Sequence, residues 1–146
     1  AEIILLGPGS LYTSVIPNLL VDGVAGAIRE SHALKIYVCN IMTEDGETEG
    51  MTAEDHLSAL LEHSGPGLVD ICLCNSDPIG GELLARSSAE DAEPMRVDAR
   101  AVELLGAEVV LKPLMDMECG YARHSGMKVA QAALELYEQR ADTKIF

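Results

Sequence analysis

Short apolar runs alternate along this chain with segments whose apolar residues recur at helical spacing. The apolar runs are continuous, as in strands that are covered on both faces of a parallel sheet, and they lie at Glu2–Leu6, Lys35–Asn40, Val69–Asn75 and Val109–Leu111. Because strands and helices alternate throughout, each connection between strands is expected to be a right-handed crossover. The pattern therefore predicts a three-layer α/β fold with a mostly parallel sheet.

Glycine, proline and hydroxyl residues mark the ends of the predicted helices. Two short helical stretches within residues 11–31 are expected to break at Pro17 and at Asp22-Gly23. Thr52, with Asp55 in the capping-box position, predicts the start of a helix that ends at the turn Gly65-Pro66-Gly67. Further elements are predicted over Glu82–Arg86, as a strand-helix-strand pattern over Met95–Leu111, and as a helix over Ser125–Arg140. The helical residues predicted to face the core are Ala25, Ala27, Ile28, Leu57, Leu60, Leu61, Val102, Leu104, Leu105, Val129, Ala132, Ala133, Leu136 and Tyr137.

The first strand stops at Gly7-Pro8-Gly9, and a hydroxyl-rich segment follows. Glycine permits a close approach of the backbone, and Ser10, Thr13 and Ser14 suit the cap of a helix whose free N–H groups attract anions. Because the spacing matches neither the P-loop nor the dinucleotide fingerprint, the segment is either a phosphate-binding loop or an ordinary strand-to-helix turn.

Asparagine follows cysteine at the end of both the second and the third predicted strand, as Asn40 and Asn75. Parallel strands send their carboxyl ends to one edge of the sheet, so we expect the loops at Gly7, Asn40 and Asn75 to meet there. The two amides would suit a sugar or a base edge. The alternative is that each asparagine stabilises its own turn.

Arg123 and His124 stand just before the last predicted helix. An arginine fork, supported by the N–H groups of the helix start, would suit a diphosphate. The alternative is a surface arginine that pairs with one of the 24 acidic residues. No serine-histidine-acid arrangement can be argued from the chain, so no catalytic residue is predicted.

Metal ligands are not predicted in this sequence. His56 and His63 are seven residues apart, whereas zinc sites place two histidines closer on a helix, with a third ligand converging on them. The acidic loop 44–49 is expected to be solvated rather than to hold Mg²⁺. The four cysteines contain no C-x-x-C pair and are expected to be reduced, buried thiols; they are Cys39, Cys72, Cys74 and Cys119.

Composition limits the class of partner. With 146 residues, of which 48% are hydrophobic, the chain can form one domain with a real core. A net charge of −14 disfavours nucleic acid, which needs a basic face, although a cleft with local N–H groups and arginine can still take a small anion. No apolar segment approaches the length of a membrane span, so we expect a soluble cytoplasmic protein without a membrane partner.

Long stretches of the chain, Gly7–Leu20 and Lys35–His56, resemble the YvcK-type gluconeogenesis factors of the CofD-like superfamily, and the likeness extends more loosely over Val69–Ser76, Ala92–Asp98 and Tyr121–Ala132. The resemblance implies a Rossmann-like sandwich in which residues 1–146 form the C-terminal portion of the domain. The chain begins directly in a strand, without the family's glycine-rich N-terminal half, and is expected to be a fragment.

The same resemblance implies a function. Bacterial members bind UDP-sugars of the UDP-N-acetylglucosamine type and regulate carbon metabolism and cell shape, and we favour this non-catalytic function. The alternative is a CofD-type transferase that moves a phospho-carboxylate group from a nucleotide diphosphate donor to a deazaflavin with Mg²⁺. Whether the chain forms a homo-oligomer stays open.

Site residues follow from the resemblance by position. The ligand-edge loop corresponds to Gly7, Gly9, Ser10, Tyr12 and Thr13, the second loop to Asn40 and Thr43, and the nucleotide-sugar contact to Arg123. Many relatives carry a nucleotide-binding tyrosine where this chain has Ser87. Loss of a stacking ring would weaken binding by roughly 1–3 kcal/mol.

Overall fold

Four parallel strands form the central sheet in a computed structural model that describes residues 1–88, 91–116 and 121–143. The strands pair in chain order, β1 with β2, β2 with β3 and β3 with β4. Their bounds are Ile3–Leu6 for β1, Leu34–Val38 for β2, Ile71–Asn75 for β3 and Glu108–Lys112 for β4. The predicted α/β class and parallel sheet are confirmed.

Helices connect these strands and cover the sheet. A π-helical turn, Leu11–Val15, leads into α1 (Ile16–Leu19), and α2 (Val24–Glu30), α3 (Ala53–Ser64), α4 (Gly81–Ser88), α5 (Ala99–Leu104) and α6 (Gly126–Thr143) follow. Within the described ranges no helix is by itself long and apolar enough to cross a bilayer; only the bent pair Leu11–Leu19 and Val24–Glu30, which meet at 75°, reaches that length and composition together.

The core has two parts, one on each face of the sheet. Alternate strand residues such as Tyr37 and Cys72 pack against the π-helical turn, α1, α3 and α5. The intervening residues, among them Ile36 and Leu73, pack against α6. β2 is buried along its whole length because it has a strand on each side and helices on both faces. This arrangement gives the three layers that the sequence predicts.

The first strand is less covered than its apolar run predicts. β1 lies at an edge of the four-stranded sheet, and Leu5 is 41% exposed. The expectation of a strand covered on both faces is therefore wrong for β1. An edge position and a fully buried position both permit an apolar sequence, so the pattern alone does not separate them.

Two details of the first helical region differ from expectation. Pro17 does not interrupt a helix but occupies the first turn of α1, where a missing N–H removes no helical hydrogen bond. The break at Asp22-Gly23 is confirmed, with Gly23 in the left-handed region at φ 83°. Ala25 and Ile28 are half-buried against the core, whereas Ala27 is exposed.

The segment 95–111 has less regular structure than its pattern predicts. Instead of a strand at Met95, the described backbone has a single bridge from Met42 to Pro94 and a hydrogen bond from Met95 N to Ile41 O of 2.9 Å. Val102 is buried as expected, but Leu104 is 82% exposed, because α5 ends there and leaves the last turn beyond the core. Leu105 is 36% exposed.

A short antiparallel pair of strands, which the sequence analysis did not predict, precedes the last helix. β5 (Met115–Asp116) pairs with β6 (Arg123–His124), and His124 lies opposite Met115. Two-residue strands carry too little alternation to stand out in a sequence. Their pairing fixes the backbone of Arg123 and His124.

The capping box of α3 is confirmed. Thr52 Oγ1 accepts a hydrogen bond from Asp55 N at 3.3 Å, and Asp55 Oδ2 accepts one from Thr52 N at 2.9 Å. Leu57 and Leu60 are fully buried on this helix and Leu61 is half-buried, as their spacing predicts.

Candidate functional site

A cavity of about 790 Å³, called the larger cavity, opens at the carboxyl ends of β1 and β2. Six of the predicted site residues line it, namely Gly9, Ser10, Asn40, Thr43, Arg123 and His124. Its other lining residues are Pro8, Ile41, Met42, Glu44, Ser87, Ala92, Tyr121 and Ala122. The tertiary structure thus brings together residues that lie more than 100 positions apart in the chain.

The glycine turn holds one wall of the larger cavity. Gly7 has a φ of 85°, and a Cβ placed there would lie 3.1 Å from the carbonyl oxygen of Val38, so the turn passes close to β2. Gly7 lines a separate cavity of about 340 Å³ rather than the larger one. Tyr12 and Thr13 are exposed and line neither of these two cavities.

Glu44 joins the glycine turn to the end of β2. Its carboxylate accepts hydrogen bonds from Ser10 Oγ at 2.6 Å and from Asn40 Nδ2 at 3.0 Å. Its own N–H donates to Thr48 Oγ1 at 2.8 Å. The expectation that this acidic loop is merely solvated is wrong for Glu44, because its half-buried carboxylate forms part of the cavity wall.

Two N–H groups at the predicted helix start, those of Tyr12 and Thr13, already donate to a side chain of the protein. Ser10 occupies the N-cap position without a side-chain cap, because its hydroxyl donates to Glu44. Tyr12 N donates to Glu47 Oε1 at 3.0 Å. Burial and the neighbouring Glu44 carboxyl raise the pKa of Glu47, although the N–H groups of Tyr12 and Thr13 act in the opposite direction. An internal carboxylate therefore accepts from N–H groups at the segment for which the sequence leaves both a phosphate-binding loop and an ordinary turn open.

A smaller cavity of about 260 Å³ lies at the ends of β2 and β3, and Asn40 lines both cavities. The predicted meeting of the loops at Gly7, Asn40 and Asn75 at one edge is therefore present. Asn75 lines the smaller cavity only. Its Nδ2 donates to Asp77 O at 3.0 Å and its Oδ1 accepts from Asp77 N at 3.2 Å, as in the local-turn alternative. The same Oδ1 also accepts from Leu114 N at 3.0 Å.

Arg123 supplies the positive charge of the larger cavity. The guanidinium carbon lies 5.5 Å from the centre of the Tyr121 ring, and both side chains are exposed. Arginine stacked on an aromatic ring keeps its planar fork available for an oxyanion pair. The start of α6 is not among the described residues that line this cavity, and Ser125, just before it, donates its N–H to Leu114 O at 2.8 Å.

His124 contributes hydrogen bonding rather than charge. Its Nε2 lies 3.1 Å from the carbonyl oxygen of Cys39. Because a carbonyl only accepts, Nε2 carries the proton of the neutral ring and Nδ1 remains an acceptor. Burial lowers the pKa of His124, so the ring is neutral at pH 7.

Thr43 and Ser87 have different positions in the lining. Thr43 is buried, and its hydroxyl accepts from Glu93 N at 2.8 Å while its own N–H donates to Glu93 O at 2.8 Å. These two hydrogen bonds connect the second loop to the segment before Pro94. Ser87 stands at the edge of the cavity, where the resemblance placed a tyrosine in many relatives.

The two histidines of α3 make separate contacts. His56 is fully buried, its Nδ1 lies 3.3 Å from Tyr37 Oη, and its Nε2 has no hydrogen-bond partner. Burial lowers the pKa of His56. His63 Nδ1 donates to Ala59 O at 2.7 Å in the last turn of the helix, as its predicted position at the helix end implies.

Three cysteines come together behind the cavities. Cys39, Cys72 and Cys74 are free and buried, as the sequence predicts, whereas Cys119 lies outside the described residues. Hydrogen bonds from the thiols of Cys39 and Cys72 lower the pKa of Cys74 to about 4. The pKa of Cys39 is raised, chiefly by its hydrogen bond to Cys72.

Glu44 and Tyr121 are the site residues that the sequence analysis missed. The acidic composition of loop 43–50 hid Glu44, because such loops are normally solvated. No pattern in the sequence identified Tyr121, because it precedes β6 and a strand of two residues carries too little alternation to be predicted.

Comparison with known proteins assigns a family. Residues 1–115 match the family described as 2-phospho-L-lactate transferase CofD. Over 135 residues the chain is 45% identical to a gluconeogenesis factor of Halalkalibacterium halodurans, and over 139 residues it is 38% identical to the gluconeogenesis factor of Bacillus subtilis. These matches cover 92% and 95% of this chain but only 42% and 44% of the relatives, so the chain spans less than half of their length.

Solved structures support the same fold. A crystal structure of a Bacillus halodurans protein of the UPF0052 family superposes with a TM-score of 0.88 at 45% sequence identity. The superposition covers 92% of this chain and 43% of that chain.

Proposed function

We propose, on the premise that this chain belongs to the CofD family, that it binds a UDP-sugar of the UDP-N-acetylglucosamine type as a cytoplasmic regulator of the gluconeogenesis-factor kind. Regulation of carbon metabolism and of cell shape belongs to the same proposal. The observation that carries it is the larger cavity, where a glycine turn, an arginine, a neutral histidine and an amide line one space.

The lining residues suit the separate parts of such a ligand. The fork of Arg123 matches the paired oxygens of a diphosphate, and the Tyr121 ring beside it offers a face to a base. The carboxylate of Glu44 accepts hydrogen bonds, which suits sugar hydroxyls. Its negative charge repels phosphate and so favours a phosphate position near Arg123. The Nδ1 of His124 is a further acceptor for a hydroxyl or an N–H.

Local charge overcomes the global charge in this proposal. The chain carries a net charge of −14, which repels a free anion at long range. Charges farther away than about one Debye length, close to 8 Å at physiological salt, are largely screened. The attraction between the diphosphate and a guanidinium that touches it therefore exceeds the repulsion from the distant acidic residues.

Isothermal titration calorimetry with UDP-N-acetylglucosamine tests the proposal. We expect saturable binding that Arg123→Ala weakens at least tenfold, because an ionic hydrogen bond to phosphate contributes about 1.5–3 kcal/mol. The matched control is Arg140→Ala, whose guanidinium pairs with Glu108 and does not line the cavity. No saturable heat from the unmodified protein, or equal binding by both variants, would contradict the proposal.

A transferase is the second candidate function, because the family description names one and a carboxylate lines the cavity. One lining residue fits a magnesium ion: the carboxylate of Glu44 would hold it together with phosphate oxygens of the donor, which is a common way for proteins to bind Mg²⁺. The ion would neutralise charge on a nucleotide diphosphate donor. Formation of a phospho-carboxylated deazaflavin from donor and acceptor would establish this activity, and donor binding without product would favour the regulator.

A further inference from the structure

The cysteine cluster, defined as Cys39, Cys72 and Cys74, lies where β2 and β3 end. Cys72 and Cys74 are alternate residues of one strand and so share a face. Tyr37 pairs with Cys72 across the two strands, which places Cys39, two residues beyond Tyr37, on that same face. The register of two parallel strands therefore brings three thiols together that are up to 35 positions apart in the chain.

The sulfur positions match those around a single small cation. All three Sγ atoms lie within 4.8 Å of one another, and the Cys72 and Cys74 Sγ atoms are 3.7 Å apart. Three sulfurs that surround one ion at about 2.3 Å, a usual metal–thiolate length, are about 4 Å apart from each other. A small closing movement would bring all three into bonding distance.

The donor set selects a particular class of ion. Thiolates favour soft cations such as Cu(I) and Zn²⁺ over Mg²⁺ or Ca²⁺. Structural zinc almost always takes four ligands, whereas the group within the described part of the chain has three members, all of them sulfur. A fully buried three-sulfur set is therefore better matched to Cu(I), which needs no fourth ligand.

The smaller cavity gives a route to the cluster. Cys74 lines this space of about 260 Å³ and is 2% exposed, while Cys39 and Cys72 lie behind it with no exposure. Met95 lines the same cavity, and its thioether is another soft ligand along the way. An ion that enters there meets Cys74 first.

We propose that Cys39, Cys72 and Cys74 form a binding site for one Cu(I) ion, and none of these three ligands lines the larger cavity. Three Cu–S bonds form, and each thiol that becomes a thiolate releases its proton to solvent. No oxidation or reduction of the cysteines takes part.

Competition with a Cu(I)-specific chromogenic chelator tests this site in the reduced protein under anaerobic conditions. We expect one Cu(I) per chain, with at least 100-fold weaker retention by Cys72→Ser and by Cys74→Ser. The matched control is Cys119→Ser, which removes the fourth cysteine but keeps the cluster and should bind as the unmodified protein does. Retention by the cluster variants equal to that of the control would overturn the proposal.

A second measurement keeps the test decisive if a serine variant fails to fold. X-ray absorption of the Cu(I)-loaded unmodified protein should show three sulfur neighbours at about 2.3 Å. A two-coordinate shell, a shell with nitrogen, or no retained copper would contradict the three-sulfur site. None of these results would bear on UDP-sugar binding, which is measured without copper.

Discussion

At the scale of single residues, Glu44 and Arg123 set the charge pattern of the larger cavity. The carboxylate of Glu44 is held in place by Ser10 and Asn40, whereas Arg123 is held at its backbone by the β5–β6 pair and at its side chain by the Tyr121 ring. The neutral ring of His124 adds an uncharged hydrogen-bond acceptor, Nδ1. The cavity is therefore polar and of mixed charge rather than uniformly basic.

Replacement of Ser87 gives a prediction at this scale. Ser87→Tyr would place a ring at the edge of the larger cavity, and stacking on a base would raise the affinity for UDP-N-acetylglucosamine by about 1–3 kcal/mol, or about 5- to 150-fold. Calorimetry measures the change, and Ser87→Ala is the control that should bind like the unmodified protein. Equal affinity of the tyrosine and alanine variants would show that no base lies near this position.

At the scale of elements, the capping box shows how a local sequence signal becomes measurable stability. The hydrogen bonds from the backbone and hydroxyl of Thr52 lower the pKa of Asp55. A carboxyl group whose pKa is lower in the folded state stabilises the fold above its unfolded pKa and loses that contribution as the pH falls through the lowered pKa.

The variant Asp55→Ala should therefore lower the free energy of unfolding by about 0.5–2 kcal/mol at pH 7. Urea unfolding at a series of pH values should show this difference shrinking below about pH 3.9, the ordinary pKa of aspartate. Glu62→Ala is the matched control, because Glu62 is an exposed acid on the same helix, and its effect should stay within about 0.5 kcal/mol. A loss that persists unchanged in acid would contradict a charged cap.

At the scale of the whole molecule, the two faces of the sheet are covered unequally. The π-helical turn, α1, α3 and α5 share one face, whereas α6 is the helix that packs on the other in the described structure. The second face therefore depends on a single helix, whose buried stripe consists of Val129, Ala132, Ala133 and Leu136.

Truncation within this stripe should be costly. Leu136→Ala is expected to lower the free energy of unfolding by about 2–5 kcal/mol, because it leaves a void against the sheet that one helix cannot close. Leu134→Ala, two residues away and 57% exposed, should change it by less than about 0.5 kcal/mol. Urea denaturation measures both, and similar values for the two variants would mean that α6 does not pack as described.

Elements with strong local signals were predictable. The capping box and the helical stripe of α6 are contacts between residues a few positions apart, so spacing alone identifies them. Leu104 was predicted wrongly, because its spacing is helical but the helix ends at that residue. The edge position of β1 could not be predicted either, because an apolar run is compatible with a strand that has one neighbour or two.

The sequence by itself determined the alternation of strands and helices, the parallel sheet and the edge at which its loops gather, because these depend on local periodicity and on the handedness of crossovers. Only the tertiary structure decided that Glu44 lines the larger cavity and that the Glu47 carboxylate accepts a hydrogen bond from the N–H of Tyr12. The tertiary structure also decided that Cys39 lies beside Cys72 and Cys74. Those outcomes depend on distances between residues far apart in the chain, which are set by strand register and packing and leave no pattern in any short stretch of sequence.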